Sequence, residues 1–192
     1  MSALTRASSL ADVAFTVCTA LERHAEHAVL CGGSAATYHA PHAYQSRDLD
    51  FVLHFGARAR AVMDALGTIG YTRRPEGLYV HADVLFTIDF PAGPLAIGSE
   101  TVSEHATYRR GDEVLYVYSA TDCVRDRFMH FWAWNDQQAR RVALDVAAAC
   151  RNEIDYAAIV AWTDRELREA PVYDRTARDQ FLRDLRNVVN AV

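Results

Sequence analysis

Two aspartates, Asp48 and Asp50, stand two residues apart in the segment "SRDLDFVL", and this spacing is the strongest chemical signal in the sequence. On a β-strand, residues i and i+2 project from the same face, with Cα atoms roughly 6–7 Å apart. Two carboxylates this close repel each other, and a divalent cation between them removes that cost. The pair therefore predicts a site for Mg²⁺ (or Mn²⁺), with two solvated surface aspartates as the alternative.

A glycine turn precedes this pair. Gly32, Gly33 and Ser34 follow the short apolar run 28–31, which is typical of a buried strand. Glycine has no Cβ, so the backbone of such a turn can approach a ligand closely. Ser34 is predicted to cap a short helix, whose N-terminal amides favour an anion such as a phosphate. Turn and aspartates together predict a nucleotide site at Gly32, Gly33 and Ser34.

The elements that position these residues alternate up to about residue 118. Apolar periodicity predicts helices over 8–26 and 57–69, and strands over 28–31, 48–55, 84–90 and 114–118. The strand over 48–55 is predicted to bury one face, formed by Leu49, Phe51, Leu53 and Phe55. From residue 121 onward the pattern is helical, with breaks near 135–136, near 151–152 and at Pro171. We therefore expect an α/β (α+β) core over 1–118 and a helical C-terminal part over 119–192 packed on it.

A family resemblance follows from these segments. "GGSA" after a strand, followed by "SRDLDFVL", resembles the signature of the nucleotidyltransferase superfamily, and Ser46 stands where these proteins often have Ser or Thr. Asp89 in "FTIDFP" occupies the place of the third acidic residue, with Asp83 as the alternative. The segment "SATDCVRDRFMHFWAWND" resembles the helix that follows the catalytic sheet in the minimal and AbiEii-type toxin branches. The resemblance extends over residues 10–145.

The resemblance implies a small mixed sheet flanked by helices and an enzyme that transfers a nucleoside monophosphate from an NTP to an acceptor, releasing pyrophosphate. Asp48, Asp50 and Asp89 would then be the catalytic and metal-binding carboxylates, with Asp89 also assisting removal of the acceptor's proton. The acceptor is left open: RNA, including the tRNA ends modified in the toxin-like branch of toxin–antitoxin systems, a protein side chain, or a small hydroxylated molecule such as an aminoglycoside.

The sequence contains no lysine, so all 20 basic residues are arginines. This excludes a Schiff-base lysine and a P-loop lysine. Several nucleotidyltransferase branches place a lysine on the helix after the sheet, where it contacts the triphosphate. Here Arg127, or Arg125 beside it, is the nearest replacement, and an ion pair of Arg127 with Asp122 or Asp126 is the structural alternative.

Other readings of the sequence remain as alternatives. The chain can be a catalytically degenerate member that binds a nucleotide or a partner without turnover. It can also be a small serine hydrolase, because the segment from Gly32 to Ala36 is close to a G-x-S-x-G elbow with Ser34 as nucleophile. A net charge of −5 argues against a broad electropositive surface. Four dispersed cysteines and the absence of a long apolar run favour a cytoplasmic protein without a membrane anchor, of undetermined oligomeric state.

Overall fold

The computed structural model describes residues 3–191, which form a mixed sheet with helices packed around it. The helices are α1 (Leu10–Arg23), α2 (Gly32–His39), α3 (Ala59–Gly67), α4 (Ala120–Trp134), α5 (Gln137–Ala149), α6 (Tyr156–Glu169) and α7 (Arg175–Val189), with a 3₁₀ turn at Arg151–Glu153. The strands are β1 (Ala28–Cys31), β2 (Asp48–Leu53), β3 (Thr72–Arg73), β4 (Tyr79–Val80), β5 (Thr87–Asp89), β6 (Ala96–Ile97), β7 (Glu100–Thr101), β8 (Ala106–Arg110) and β9 (Glu113–Val117).

Seven of these strands form one sheet in the order β3-β4-β5-β2-β1-β9-β8. At its centre, β1 runs antiparallel to β2, while β2 is parallel to β5 and β1 is parallel to β9. Strands β6 and β7 form a separate hairpin. The mixed sheet and the order of elements confirm the predicted α/β fold class.

Local signals explain where the helices begin and end. Ser9 and Asp12 form a capping box at the start of α1, in which each side chain accepts a hydrogen bond from the other residue's backbone N–H. Asn135 adopts a left-handed conformation (φ 55°) at the end of α4, and Asp136 caps α5. These residues account for the helix break that the sequence predicts near 135–136.

The two faces of the central strands differ in their surroundings. Leu49 and Phe51 of β2 are fully buried, as predicted. The prediction is wrong for Phe55, which is 99% exposed, because β2 ends at Leu53 and the chain turns away. The opposite face carries Asp48 and Asp50.

The apolar core continues from the sheet into the C-terminal helices. Phe128 of α4 stacks on Phe181 of α7 with ring centroids 4.0 Å apart, and both rings are fully buried. The predicted boundary at residues 118 and 119 falls between β9 and α4, and the division into two parts stays a prediction. Among the helices of residues 3–191, none has the length and apolar character needed to cross a bilayer.

Candidate active site

The three predicted carboxylates lie on two neighbouring strands. In the parallel pairing of β2 with β5, Asp50 is opposite Asp89 and Asp48 is opposite Thr87. Neighbouring strands are about 4.8 Å apart, so all three aspartates occupy one small area of the same sheet face. The alternative residue, Asp83, is exposed in the loop before β5, where its backbone N–H donates to His81 Nδ1. The strand pairing therefore favours Asp89.

Asp50 lies in an unfavourable environment for a negative charge. Burial raises the pKa of its carboxyl to about 6, reinforced by the negative charges of Asp48 and Asp89 and opposed by Arg127. A carboxyl group whose pKa is raised by burial and by neighbouring negative charges is frequent at functional sites. A cation bound here would favour the ionised form of Asp50.

The glycine turn lies directly against this carboxylate. Helix α2 begins at Gly32, which has a φ of +62°, and a Cβ at that position would lie 3.1 Å from Asp50 Oδ2 and 3.8 Å from Arg127 Nη2. A Cβ on Gly33 would lie 3.1 Å from Cε1 of Tyr44. The positive φ and the nearby Asp50 carboxylate favour glycine at position 32, whereas a side chain at position 33 would require Tyr44 to move. The first amides of α2 have no partner within the helix and are available to an anion.

Ser34 has a different role from the predicted one. It lies inside the first turn of α2, where Cys31 is the N-cap residue, so the prediction that Ser34 caps the helix is wrong. Its hydroxyl donates to the Cys31 carbonyl oxygen (2.7 Å) and accepts from the Asp50 N–H (3.2 Å). The side chain is fully buried, which rules out a Ser34 nucleophile and with it the serine hydrolase alternative. Ser34 instead fixes β2 against the glycine turn, and only its backbone N–H is left for a ligand.

The two candidate arginines of α4 differ sharply. The Arg127 guanidinium lies near Asp50 and donates to Asp126 Oδ2 at 2.7 and 2.9 Å. This is the ion pair foreseen as an alternative, but it is largely buried at the site rather than on the surface. Arg125 is buried elsewhere, where it binds Asp122 and Glu100. Arg127 is therefore the arginine placed to contact a bound phosphate.

The carboxylate oxygens are partly engaged by the protein itself. Ser46 donates to Asp48 Oδ1, and the Phe90 N–H donates to Asp89 Oδ1, each at 2.8 Å. Within residues 3–191, no three His, Cys, Asp or Glu side chains converge as a ready metal cage. Mg²⁺ commonly binds through one or two carboxylates together with waters and substrate phosphates. Asp50 with an adjacent aspartate supplies the oxygen ligands that such an ion takes.

Two site residues were not found from the sequence. Tyr44 covers Gly33 from the loop between α2 and β2, and no spacing rule connects the two residues. Asp126 was considered only as a partner of Arg127, although its charge also acts on Asp50. Its position on the helix after the sheet, next to Arg127, was the available signal.

Comparison with known proteins identifies the fold of this chain. No family model and no curated protein matches the sequence. Among solved structures, the chain is similar to an antigenic nucleotidyltransferase-like protein from Paracoccidioides brasiliensis, with 12% identity, 94% of each chain covered and a TM-score of 0.55. It also matches the antibiotic-resistance factor ANT(2'')-Ia, with 13% identity over 78% of this chain and 89% of that one, at a TM-score of 0.47. The chain has the nucleotidyltransferase fold, which confirms the predicted resemblance at the level of structure.

Proposed function

We propose that this protein is a Mg²⁺-dependent (or Mn²⁺-dependent) nucleotidyltransferase that moves a nucleoside monophosphate from an NTP to a hydroxylated acceptor. One observation carries the proposal: Asp50 and Asp89 are paired across β2 and β5, next to Asp48 and against the glycine turn that begins α2. This arrangement brings clustered carboxylates and an anion-binding helix N-terminus together, and a metal–triphosphate complex needs both.

Several groups of this chain are positioned to bind the triphosphate. The N-terminal amides of α2, at Gly32, Gly33 and Ser34, bind phosphate oxygens of the triphosphate. Arg127 lies beside them and adds a bidentate cation where related enzymes have a lysine. Asp126 holds the Arg127 guanidinium in place through two hydrogen bonds. Binding of a triphosphate therefore does not require a lysine.

The reaction joins the acceptor oxygen to the α-phosphorus and breaks the bond from that phosphorus to pyrophosphate. A metal held by Asp50 together with Asp48 or Asp89, and by the phosphates, would supply Lewis-acid stabilisation of the negative charge on the phosphates. Asp89 lies at the end of β5, and its free carboxylate oxygen accepts the proton of the attacking hydroxyl. Ser34 keeps Asp50 aligned through its hydrogen bond to the Asp50 N–H.

The positions of Arg73 and Arg110 favour a small acceptor over RNA, including a tRNA acceptor of the toxin-like kind. Arg73 lies on β3 and Arg110 on β8, the two outer strands of the sheet, roughly 25–30 Å apart. Arg110 is already bonded to Asp12 and Glu113. A continuous basic track for phosphates would need these cations on one side of the site.

The test is a labelling assay with each α-labelled NTP, Mg²⁺ and candidate acceptors, namely RNA, protein and small alcohols. Wild type is expected to transfer label, and removal of the cation with EDTA is expected to stop transfer. The double variant Asp48→Ala/Asp50→Ala should lose about 10³-fold or more in rate, because several kcal/mol of charge stabilisation disappear. Asp83→Ala is the matched control on an exposed aspartate and should retain full activity.

Two outcomes would contradict the proposal in different ways. Undiminished transfer by the double aspartate variant would show that the reaction occurs at another site. Tight binding of MgATP to wild type with no transfer to any acceptor would favour the catalytically degenerate alternative.

A further inference from the structure

A second feature lies on the same face of the sheet as the aspartates. A cavity of about 1090 Å³ opens over the far ends of β1 and β2, and its apolar lining includes Val29, Val52, Leu95 and Val102. Ligand pockets in proteins commonly have volumes of several hundred to about 1,000 Å³. The space is therefore sufficient for a drug-sized molecule.

Strand register connects this cavity to the acidic site, which is formed by Asp48, Asp50 and Asp89. Cys31 pairs with Asp50, and two residues further along the same strands Val29 pairs with Val52. Alternation along β2 puts Val52 on the same face as Asp50, about 7 Å away along the strand. A molecule lying over Val52 would therefore have one end within reach of the carboxylates.

The loop after Asp89 forms one wall of the cavity. This loop follows β5 directly, and its Gly93 lies so close to β2 that a Cβ there would be 3.4 Å from Val52 Cγ1. Gly93 and Pro94 both line the cavity. The chain therefore passes directly from Asp89, the residue proposed to accept the acceptor's proton, to Gly93 and Pro94 in the cavity wall.

Three histidines are among the polar residues that line the cavity. His27, His54 and His105 lie together, with ring centroids of His27 and His105 5.0 Å apart. Burial lowers the pKa of His27, with further lowering from His105 and His54, and burial also lowers the pKa of His105. Both rings are therefore neutral at pH 7 and act as hydrogen-bond donors or acceptors. Among the described residues that line the cavity there is no Asp, Glu or Arg.

We propose that this cavity is the acceptor site and that it takes a small, uncharged, largely apolar alcohol. The inference rests on the proposed nucleotidyl transfer. The acceptor's hydroxyl oxygen would bond to the α-phosphorus near Asp89, its proton would pass to that carboxylate, and pyrophosphate would leave. A cationic aminoglycoside would find no carboxylate in the cavity, and a nucleic acid would find no arginine.

Binding and transfer test this inference separately. Binding of naphthylethanol, an uncharged fluorescent alcohol, is measured by fluorescence in the absence of nucleotide. Wild type and Asp50→Asn should bind it equally, because Asp50 lies outside the cavity. Val102→Arg places a charge in the apolar lining and should weaken binding at least about tenfold. Val172→Arg is the control, since Val172 is 84% exposed in the loop between α6 and α7.

Because Val102 is half-buried, Ser103→Arg gives the same change at an exposed lining position, and thermal melts confirm that each variant is folded.

The transfer assay then offers naphthylethanol, phenylethanol, octanol, an aminoglycoside and RNA with labelled NTP. Label on an uncharged alcohol, lost in both arginine variants of the cavity, supports the inference. Label on RNA or the aminoglycoside that persists in those variants overturns the inference and leaves nucleotidyl transfer standing. Absence of naphthylethanol binding also overturns it. Alcohol binding without label on any acceptor overturns the proposed function and the acceptor role together.

Discussion

Two charged regions of this molecule have opposite electrostatic character. In the arginine cluster, formed by Arg125, Asp122 and Glu100, the guanidinium donates to Asp122 and to Glu100 at 2.8 Å each. Burial alone would raise the pKa of Glu100, but hydrogen bonds from Arg165 and Arg125 lower it. In the acidic site, burial raises the pKa of Asp50, and the neighbouring carboxylates raise it further.

The difference separates a structural role from a functional one. The arginine cluster connects the β6–β7 hairpin to α4, and its carboxylates are paired within the protein. The acidic site keeps negative charges together at a cost in stability, which an incoming cation would offset. Sites that bind or react often reduce the stability of the free protein in this way. Substitutions in the two regions should therefore change stability in opposite directions.

The largest expected stability effect is that of Arg125→Met. This change removes the partner of two carboxylates and the contact of the guanidinium with the Trp162 ring, 5.0 Å from its centroid. Breaking a buried ion pair by removing one partner costs about 3–5 kcal/mol, and the lower end applies because Glu100 is partly exposed. We expect the free energy of unfolding at pH 7, measured in urea, to fall by about 3 kcal/mol.

Arg60→Met is the matched control, because Arg60 forms an ion pair with Asp64 on the exposed surface of α3. Exposed pairs contribute less than about 1 kcal/mol, so this variant should unfold almost like wild type. Equal effects of the two substitutions would mean that the arginine cluster is not a structural link.

A smaller change of opposite sign is expected for Asp50→Asn. The pKa of Asp50 is raised from 3.8 to about 6, so the folded protein binds this proton more tightly than the unfolded chain does. The resulting penalty is absent below about pH 4, develops as the pH rises to about 6, and is complete at pH 7. Allowing for partial exposure of the group, asparagine should increase the free energy of unfolding by about 1–2 kcal/mol at pH 7.

Urea unfolding of Asp50→Asn and wild type between pH 4 and pH 8 measures this prediction. The gain should disappear toward pH 4, and Asp83→Asn, at an exposed aspartate, should show little change at any pH. A loss of stability in Asp50→Asn at pH 7 would indicate that the Asp50 carboxylate is structurally compensated, like those of the arginine cluster.

Sequence patterns were sufficient where local rules determine the structure. Alternation over 48–55 located β2, which ends at Leu53, and put Asp48 and Asp50 opposite the buried Leu49 and Phe51. The breaks between α4, α5 and α6 followed from residues such as Asn135. The two-residue strands β3, β6 and β7 are too short for any periodicity to reveal. Strand β8 was also missed, although it spans five residues, because only its pairing with β9 distinguishes it from loop.

Roles that depend on tertiary neighbours could not be read from the sequence. The role of the Ser34 hydroxyl depends on the hydrogen bond that it accepts from the Asp50 N–H, sixteen residues away in the sequence. Arg125 and Arg127 are two residues apart on one helix, yet one belongs to the arginine cluster and the other to the acidic site. The cavity over Val52 depends on the path of the loop after Asp89, which its Pro and Gly residues mark only as irregular.

The smallest stability effect, and the most specific functional one, is expected from Gly32→Ala compared with Gly111→Ala. The two glycines have nearly the same backbone conformation, with φ of +62° and +57°. Alanine is disfavoured in this conformation by about 1 kcal/mol, so both variants should lose a similar amount of stability. Their surroundings differ: a Cβ at Gly111 meets no atom within 4 Å, whereas at Gly32 it lies 3.1 Å from Asp50 Oδ2.

Calorimetric titration with MgATP separates the shared backbone strain from the contact at the site. Gly111→Ala should bind the nucleotide as wild type does, because its methyl group points into open space. Gly32→Ala should bind it at least about tenfold more weakly, since the methyl group displaces the Asp50 carboxylate and occupies the surface that the triphosphate approaches. If both variants bind equally well, the close approach of Gly32 to Asp50 serves packing alone, and the acidic site is then a strained part of the fold rather than the place where the nucleotide binds.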